Sequence, residues 1–167
     1  MCVNWNEAKA YVAWLSRETG KSYWLLSEAE REYASRAATT TPFWWGTSIM
    51  PQQANYDGNF VYAGGGSKGE YRQRTVPVAS FTVNPWGLYQ VHGNVWEWTE
   101  DCYDPSYSGA QNDGSPRTAG DCKRRVLRGG SWGSIPRYLR SAARNRGLPD
   151  SRDYSVGFRV ARTLLTP

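Results

Sequence analysis

Beyond Thr39-Thr40-Thr41-Pro42 the sequence carries no helical period, and this constrains the fold more than any other feature. The rest of the chain is cut into short pieces by Gly, Asn and Pro, which end regular structure by permitting left-handed backbone or by removing an amide donor. Ahead of that boundary two helices are expected. Ala8, Tyr11, Val12, Trp14 and Leu15 form an apolar stripe at helical spacing, with Gly20 placed as a terminator. The second helix starts at Ser27, whose hydroxyl and Glu30 form a capping box, and runs to about Ala38 with Ala29, Tyr33 and Ala37 inward. Strand-like pieces follow at Thr75 to Ser80, Gly87 to Val91, Val95 to Thr99, Arg125 to Arg128 and Val156 to Ala161. Helices first and short strands later imply an α+β domain with much irregular chain.

Such a chain cannot build its core from long aliphatic elements. Its nine Trp and eleven Tyr against four Phe supply the alternative, large apolar surfaces with one polar tip. In Gly93-Asn94-Val95-Trp96-Glu97-Trp98 a strand puts Val95 and Glu97 on one face and both indoles on the other. Arg128-Gly129-Gly130-Ser131-Trp132 needs glycine where the chain turns tightly or two backbones touch.

The net charge is +5, and roughly half of the Lys and Arg lie after Asp121. Apart from Lys123-Arg124-Arg125 they stand singly among Gly, Ser and Ala, which suits internal ion pairs better than a phosphate-binding face, so nucleic acid is not the expected partner. No stretch approaches the length of a membrane span, and nothing identifies a cellular compartment. Cys102 and Cys122 flank a polar loop and either close it as a disulfide or remain free thiols; Cys2 is left over.

Three motif groups carry a family resemblance. Tyr23-Trp24-Leu25-Leu26-Ser27-Glu28-Ala29-Glu30 with Glu32-Tyr33-Ala34, Asn84-Pro85-Trp86-Gly87-Leu88-Tyr89 with His92-Gly93-Asn94-Val95-Trp96-Glu97-Trp98, and Arg125-Val126-Leu127-Arg128-Gly129-Gly130-Ser131-Trp132 with Gly157-Phe158-Arg159 stand in the family's order. Together they resemble the formylglycine-generating enzyme family, also called the sulfatase-modifying factor family. Trp24 and Arg31 depart from the usual Arg and Trp. The resemblance implies a C-type-lectin-like α+β fold with two helices and short antiparallel strands. It implies one domain over residues 1–167, lacking its N-terminal portion or cut from a longer protein.

The resemblance also says what chemistry to look for. Catalytic members hold copper on two thiolates a few residues after the Gly-Gly-Ser motif, ligands suited to a soft cation. Here Trp132 to Ser141 contains no cysteine, nor does anything from Lys123 to Pro167, so oxidase chemistry is not expected and no cofactor is required. The iron-dependent sulfoxide synthases of the same family need several histidines, and His92 is the only one, expected to be packed or hydrogen-bonded. Glu28, Glu30 and Glu32 sit at a helix start, where carboxylates favour the dipole. A structural calcium ion is the one cofactor the family suggests. Its candidate ligands are Asn55, the carbonyl of Tyr56 and Glu70, with Asn94 and Glu97 as a second group. A plain turn at Asn55-Tyr56-Asp57-Gly58 fits the same residues.

From Gly133 to Ser155 fixed-looking residues (Pro136-Arg137, Leu139-Arg140-Ser141-Ala142, Arg144, Pro149-Asp150, Arg152) alternate with unpatterned ones. The unpatterned set is Gly133, Ser134, Ile135, Tyr138, Ala143, Asn145, Arg146, Gly147, Leu148, Ser151, Asp153, Tyr154 and Ser155. This pattern resembles the variable proteins of diversity-generating retroelements, in which asparagine codons are randomised at adenines. Such codons cannot yield Glu, Lys, Gln, Trp or Met, and none occurs in this window, where ~4 would be expected from the chain's own usage. Undiversified family members share the Arg-Ser-Ala-Ala-Arg frame, so the frame alone does not decide.

The resulting expectation is a non-catalytic ligand-binding domain. Its ligand would be an unknown protein, contacted mainly by Tyr138, Arg146, Leu148 and Tyr154, and effector or anchoring parts would be fused outside this chain. The rivals are an oxidoreductase domain completed by residues from elsewhere and a structural accessory domain.

Overall fold

A computed structural model describes residues 1–163. Helix α1 spans Trp5–Thr19 and α2 spans Glu28–Arg36, each opened by a capping box, Asn4 with Glu7 and Ser27 with Glu30. α1 ends at Gly20 in left-handed backbone, where the missing Cβ removes the strain. The strands are β1 Tyr23–Leu25, β2 Trp96–Cys102, β3 Arg125–Arg128, β4 Arg144–Gly147, β5 Val156–Phe158 and β6 Val160–Arg162. They form a four-stranded sheet in the order β4-β3-β2-β5 and a separate β1-β6 pair. All pairs are antiparallel except β2 with β5, which is parallel, so the expectation of antiparallel strands holds for all but one pair.

The helices arrive as the sequence implies, but their buried faces differ. On α1 only Ala8 and Val12 are buried, while Tyr11 and Trp14 stay in solvent with Tyr11 edge-on to Phe158. On α2 Ala37 is buried as expected, whereas Ala29 and Tyr33 face outward. The inward face is instead Glu28, Arg31 and Ser35, because the partners opposite are charged side chains from β2 and β3.

Two expected strands are absent. Thr75 to Ser80 contains only a 3-10 turn at Val78–Ser80 following Pro77, which has no amide to donate to a ladder. Gly87 to Val91 is broken by positive φ at Gly87 (76°) and Gln90 (50°). The stretch Val156 to Ala161 is interrupted at Arg159, so β5 and β6 join different sheets.

The core is three small clusters rather than one layer. Phe43, Ile49, Ala54, Tyr56 and Leu139 form the first; Trp96, Trp98, Leu127 and Val156 the second; Ala8, Val12 and Leu25 the third. Trp96 and Trp98 are both buried, as the alternating pattern requires. Close backbone approach explains two glycines of the motifs. A Cβ on Gly93 (φ 82°) would lie 2.4 Å from the Asn55 carbonyl oxygen, and one on Gly130 (φ 78°) 2.8 Å from Leu139. Cys102 and Cys122 are joined by a disulfide that closes the loop between them, and Cys2 is free and exposed.

Candidate functional site

The segment after Trp132 has little regular structure, so its backbone polar groups need other partners. Buried side chains provide them. The guanidinium of Arg128 donates through Nη1 to the Ala143 carbonyl at 2.6 Å and through Nη2 to the Ser141 carbonyl at 2.8 Å, and it also pairs with Glu32. Glu28 receives Arg144 in a fork, Nε to Oε1 at 2.5 Å and Nη2 to Oε2 at 2.8 Å. The Ser134 hydroxyl accepts from the Ser131 amide at 3.1 Å, and the Ser141 amide donates to the Pro42 carbonyl at 2.8 Å. At the far end Asn6 donates to the Pro149 carbonyl, Asn4 to that of Asp150, and Arg152 pairs with Glu7. Glu28 and Glu32, one helical turn apart, thus hold a surface segment more than a hundred residues away.

His92 belongs to the same frame. Its Nδ1 lies 2.7 Å from the Leu139 carbonyl and its Nε2 accepts from the Trp44 amide at 3.4 Å, which fixes the neutral tautomer with the proton on Nδ1. The ring is enclosed edge-on by Phe43 and Trp45. Burial lowers its pKa to about 3, more than the Leu139 hydrogen bond restores. It is a structural residue, as the sequence implies.

Glu97 is buried between two guanidinium groups. Its carboxylate is clamped by Arg31 Nε at 2.6 Å and Arg159 Nη2 at 2.9 Å. Burial would raise its pKa, but the two guanidinium groups overcome that and hold it at about 2. These two guanidinium groups already neutralise the carboxylate, which leaves the expected Asn94 and Glu97 calcium group little spare negative charge. Asn94 is instead a backbone organiser, its Oδ1 accepting from the Val76 amide and from Asn55 Nδ2, each at 3.0 Å. At the other group Asn55 is fully buried and its Oδ1 has no hydrogen-bond partner, an arrangement a hard cation would satisfy. Tyr56 is buried next to it, while the Glu70 carboxylate is exposed and paired with Arg72 at 3.1 Å.

Against this frame the thirteen candidate contact residues separate. Gly133, Tyr138, Asn145, Arg146, Leu148, Ser151, Asp153 and Tyr154 are exposed; Ile135 and Ser155 are half-buried. Three do not fit the expectation. Ser134 and Ala143 are buried, Ser134 because its hydroxyl is used within the frame. At Gly147 a Cβ would stand 2.5 Å from the Trp98 ring, so no side chain can vary there. Conversely Arg137, Arg140 and Ala142, which read as fixed, are exposed.

Five of the exposed residues converge with Gly147 and Ser155. Asn145, Arg146, Gly147, Leu148, Ser151, Asp153 and Ser155 line a pocket of about 270 Å³ that also includes Trp96, Trp98, Leu127 and Val156. Tyr138 stands beside Trp96 at 6.3 Å between ring centroids. Tyr154 stacks on Trp132 at 5.6 Å, and Trp132 on Tyr71 at 6.1 Å. The sequence does not single out this Trp floor or Tyr71 as part of the site. The signal that could have found them is the period of β2, which directs both indoles to one face.

No two thiols meet near the segment. Cys102 and Cys122 are bonded to each other, and Cys2 lies alone, its amide on the Asp153 carbonyl at 3.2 Å. Among the described residues there is no group of three His, Cys, Asp or Glu placed to hold a metal, and no helix long and apolar enough to cross a membrane.

Residues 1–164 match the family model of the sulfatase-modifying factor enzyme 1-like domain. The chain is 36% identical to the formylglycine-generating enzyme of Mus musculus over 167 residues, covering 95% of this chain and 42% of that protein. It is 35% identical to the inactive C-alpha-formylglycine-generating enzyme 2 of Bos taurus, covering 95% and 48%. It is 34% identical to the serine/threonine-protein kinase pkn1 of Chlamydia caviae, covering 96% and 23%. The chain thus spans less than half the length of these relatives. Among solved structures, PvdO from Pseudomonas aeruginosa superposes with a TM-score of 0.85 at 42% identity, covering 98% of this chain and 61% of that one. Variable protein 1 of Treponema denticola shares the fold, with a TM-score of 0.77 at 22% identity over 95% of this chain and 69% of that one.

Proposed function

The chain belongs to the sulfatase-modifying factor family, in its C-type-lectin-like fold, and from that premise we propose that it is a non-catalytic domain that binds a protein ligand. The observation that carries this reading is the pocket at Trp96 and Trp98, most of whose other walls come from β4 and the irregular chain after it, held from behind by Arg128 and Arg144. Exposed side chains on a pinned backbone change at little cost to stability, which is what a recognition surface needs. The segment lacks the paired thiolates that copper chemistry in this family requires, and the family contains relatives named inactive. Retroelement diversification of residues 133–155 fits the fold shared with a variable protein, with Ser134, Ala143 and Gly147 excluded from the variable set. Fusion to effector or anchoring parts fits the match to one quarter of a protein kinase.

A structural calcium ion at Asn55, the Tyr56 carbonyl and Glu70 is part of the proposal. When bound it would satisfy the orphaned Asn55 oxygen and fix the turn that follows.

The opposing reading, an oxidoreductase, draws on the 36% identity to a formylglycine-generating enzyme and requires groups from outside this chain. Copper(I) titration together with incubation against a cysteine-containing peptide separates the two. The binding reading expects no tight copper site and no oxidised peptide; either one would overturn it.

A further inference from the structure

Some of the basic side chains are neutralised within the fold and others are not. Arg31, Arg128, Arg144 and Arg159 are each matched by a glutamate. Arg124 and Arg146 make no ion pair with any described carboxylate. Both line a pocket of about 330 Å³ beside Cys102, together with Lys123. The two acids in its wall do not neutralise them. Asp104 is taken by Arg117 at 2.9 Å, and Asp121 lies 3.9 Å from Lys123 with both groups in solvent.

Arg146 is also held in place. It pairs across the sheet with Val126, and its guanidinium lies over the Tyr103 ring at 4.7 Å. Arg144 rests on the same ring at 5.1 Å but is neutralised by Glu28. One aromatic ring therefore positions two guanidinium groups, only one of which has a counter-ion. A stacked, pre-oriented guanidinium loses little entropy when it receives a carboxylate. Arg146 is also among the residues lining the ligand pocket, so the two pockets adjoin at this residue.

We propose that Lys123, Arg124 and Arg146 form a carboxylate-binding subsite continuous with the ligand pocket, and that the ligand is an acidic segment of a partner protein. This rests on the binding reading above and adds the ligand's chemistry to it. Three cations grouped around one half-open pocket suit a carboxylate side chain. A nucleic-acid backbone calls for a stripe of cations along an open groove. The adjoining Trp96 and Trp98 pocket takes the neighbouring side chain of the same segment.

The test is fluorescence anisotropy of a labelled hexaglutamate peptide at low salt, with Arg124→Ala, Arg146→Gln and a charge-matched control, Arg17→Ala. Either subsite substitution should weaken binding roughly tenfold, and added salt should weaken it further, while the control leaves it unchanged. No binding, or equal weakening by the control, overturns the proposal. So does tighter binding of an oligothymidylate through the same residues, or inorganic phosphate occupying the site that the peptide ignores. Arg124 lies outside residues 133–155, which keeps this result separable from the broader reading. Peptide binding lost with Arg124→Ala but kept with Leu148→Ala supports the subsite and counts against the pocket. The reverse pattern overturns the subsite alone.

Discussion

Arg128 donates to the main-chain carbonyl of Ala143 at 2.6 Å, fifteen residues further along and outside any ladder hydrogen bond. A buried guanidinium here performs for irregular chain what a neighbouring strand performs for a strand. Its other donor reaches Ser141, and Glu32 supplies the counter-charge. Ahead of β4 the chain after Trp132 is therefore held in backbone with little regular structure.

Arg128→Lys should destabilise the fold strongly. A single ammonium cannot reach Ala143, Ser141 and Glu32 together, and Arg128 is only 1% exposed, so water cannot replace the lost donors. Breaking a buried pair of this kind costs about 3–5 kcal/mol. Urea denaturation checks it; a loss below about 1 kcal/mol would show that the segment stands without this clamp.

Acid should unfold the protein in two overlapping stages. The unfolded His92 imidazole takes a proton near pH 6.5, the folded one only near pH 3, so stability declines as pH falls through that window. Glu97 is depressed from 4.5 to about 2, so its contribution is complete above the unfolded value and lost as pH drops through the folded one. Each group adds at most about 1.4 kcal/mol per pH unit. His92→Gln should flatten the slope between about pH 6 and 5 while lowering stability at neutral pH. An unchanged slope would mean the ring is already accessible to protons.

Gly147→Ala should cost about 1–3 kcal/mol, because the new methyl meets the Trp98 ring at 2.5 Å and that indole is tied to the Val3 carbonyl at 3.0 Å. Asn145→Ala, two residues earlier and exposed, should stay within about 0.5 kcal/mol of the parent. Thermal melts of the pair test the boundary between frame and surface directly.

Calcium should raise the melting temperature if it occupies the Asn55 site. At a hundredfold excess over its dissociation constant the gain is about 2.7 kcal/mol, a shift of several degrees. Chelator should reverse it, and Asn55→Ala should abolish it. No shift at any calcium concentration would leave the turn without a metal.

The helices, the Ser27 cap, the Gly20 terminator, both buried indoles and the glycine hinges were legible because each rests on local chemistry or on a short motif. The charged interior was not. Glu28 and Arg31 look like solvent-facing residues of a helix, and only their partners Arg144 and Glu97, distant in sequence, make burial tolerable. The same blindness placed Ala29 and Tyr33 in the core. Within residues 133–155 the alternation was visible, but the exceptions at Ser134, Ala143 and Gly147 depend on Ser131, Arg128 and Trp98, which no local pattern reveals.

One melting experiment goes to the heart of this account, that the backbone after Trp132 is fixed from behind and its outward side chains are free to change. A variant combining Tyr138→Ser, Asn145→Ser, Leu148→Ser and Tyr154→Ser should unfold cooperatively within a few degrees of the parent. Loss of the cooperative transition would mean that these side chains hold the fold together and cannot serve as an exchangeable surface.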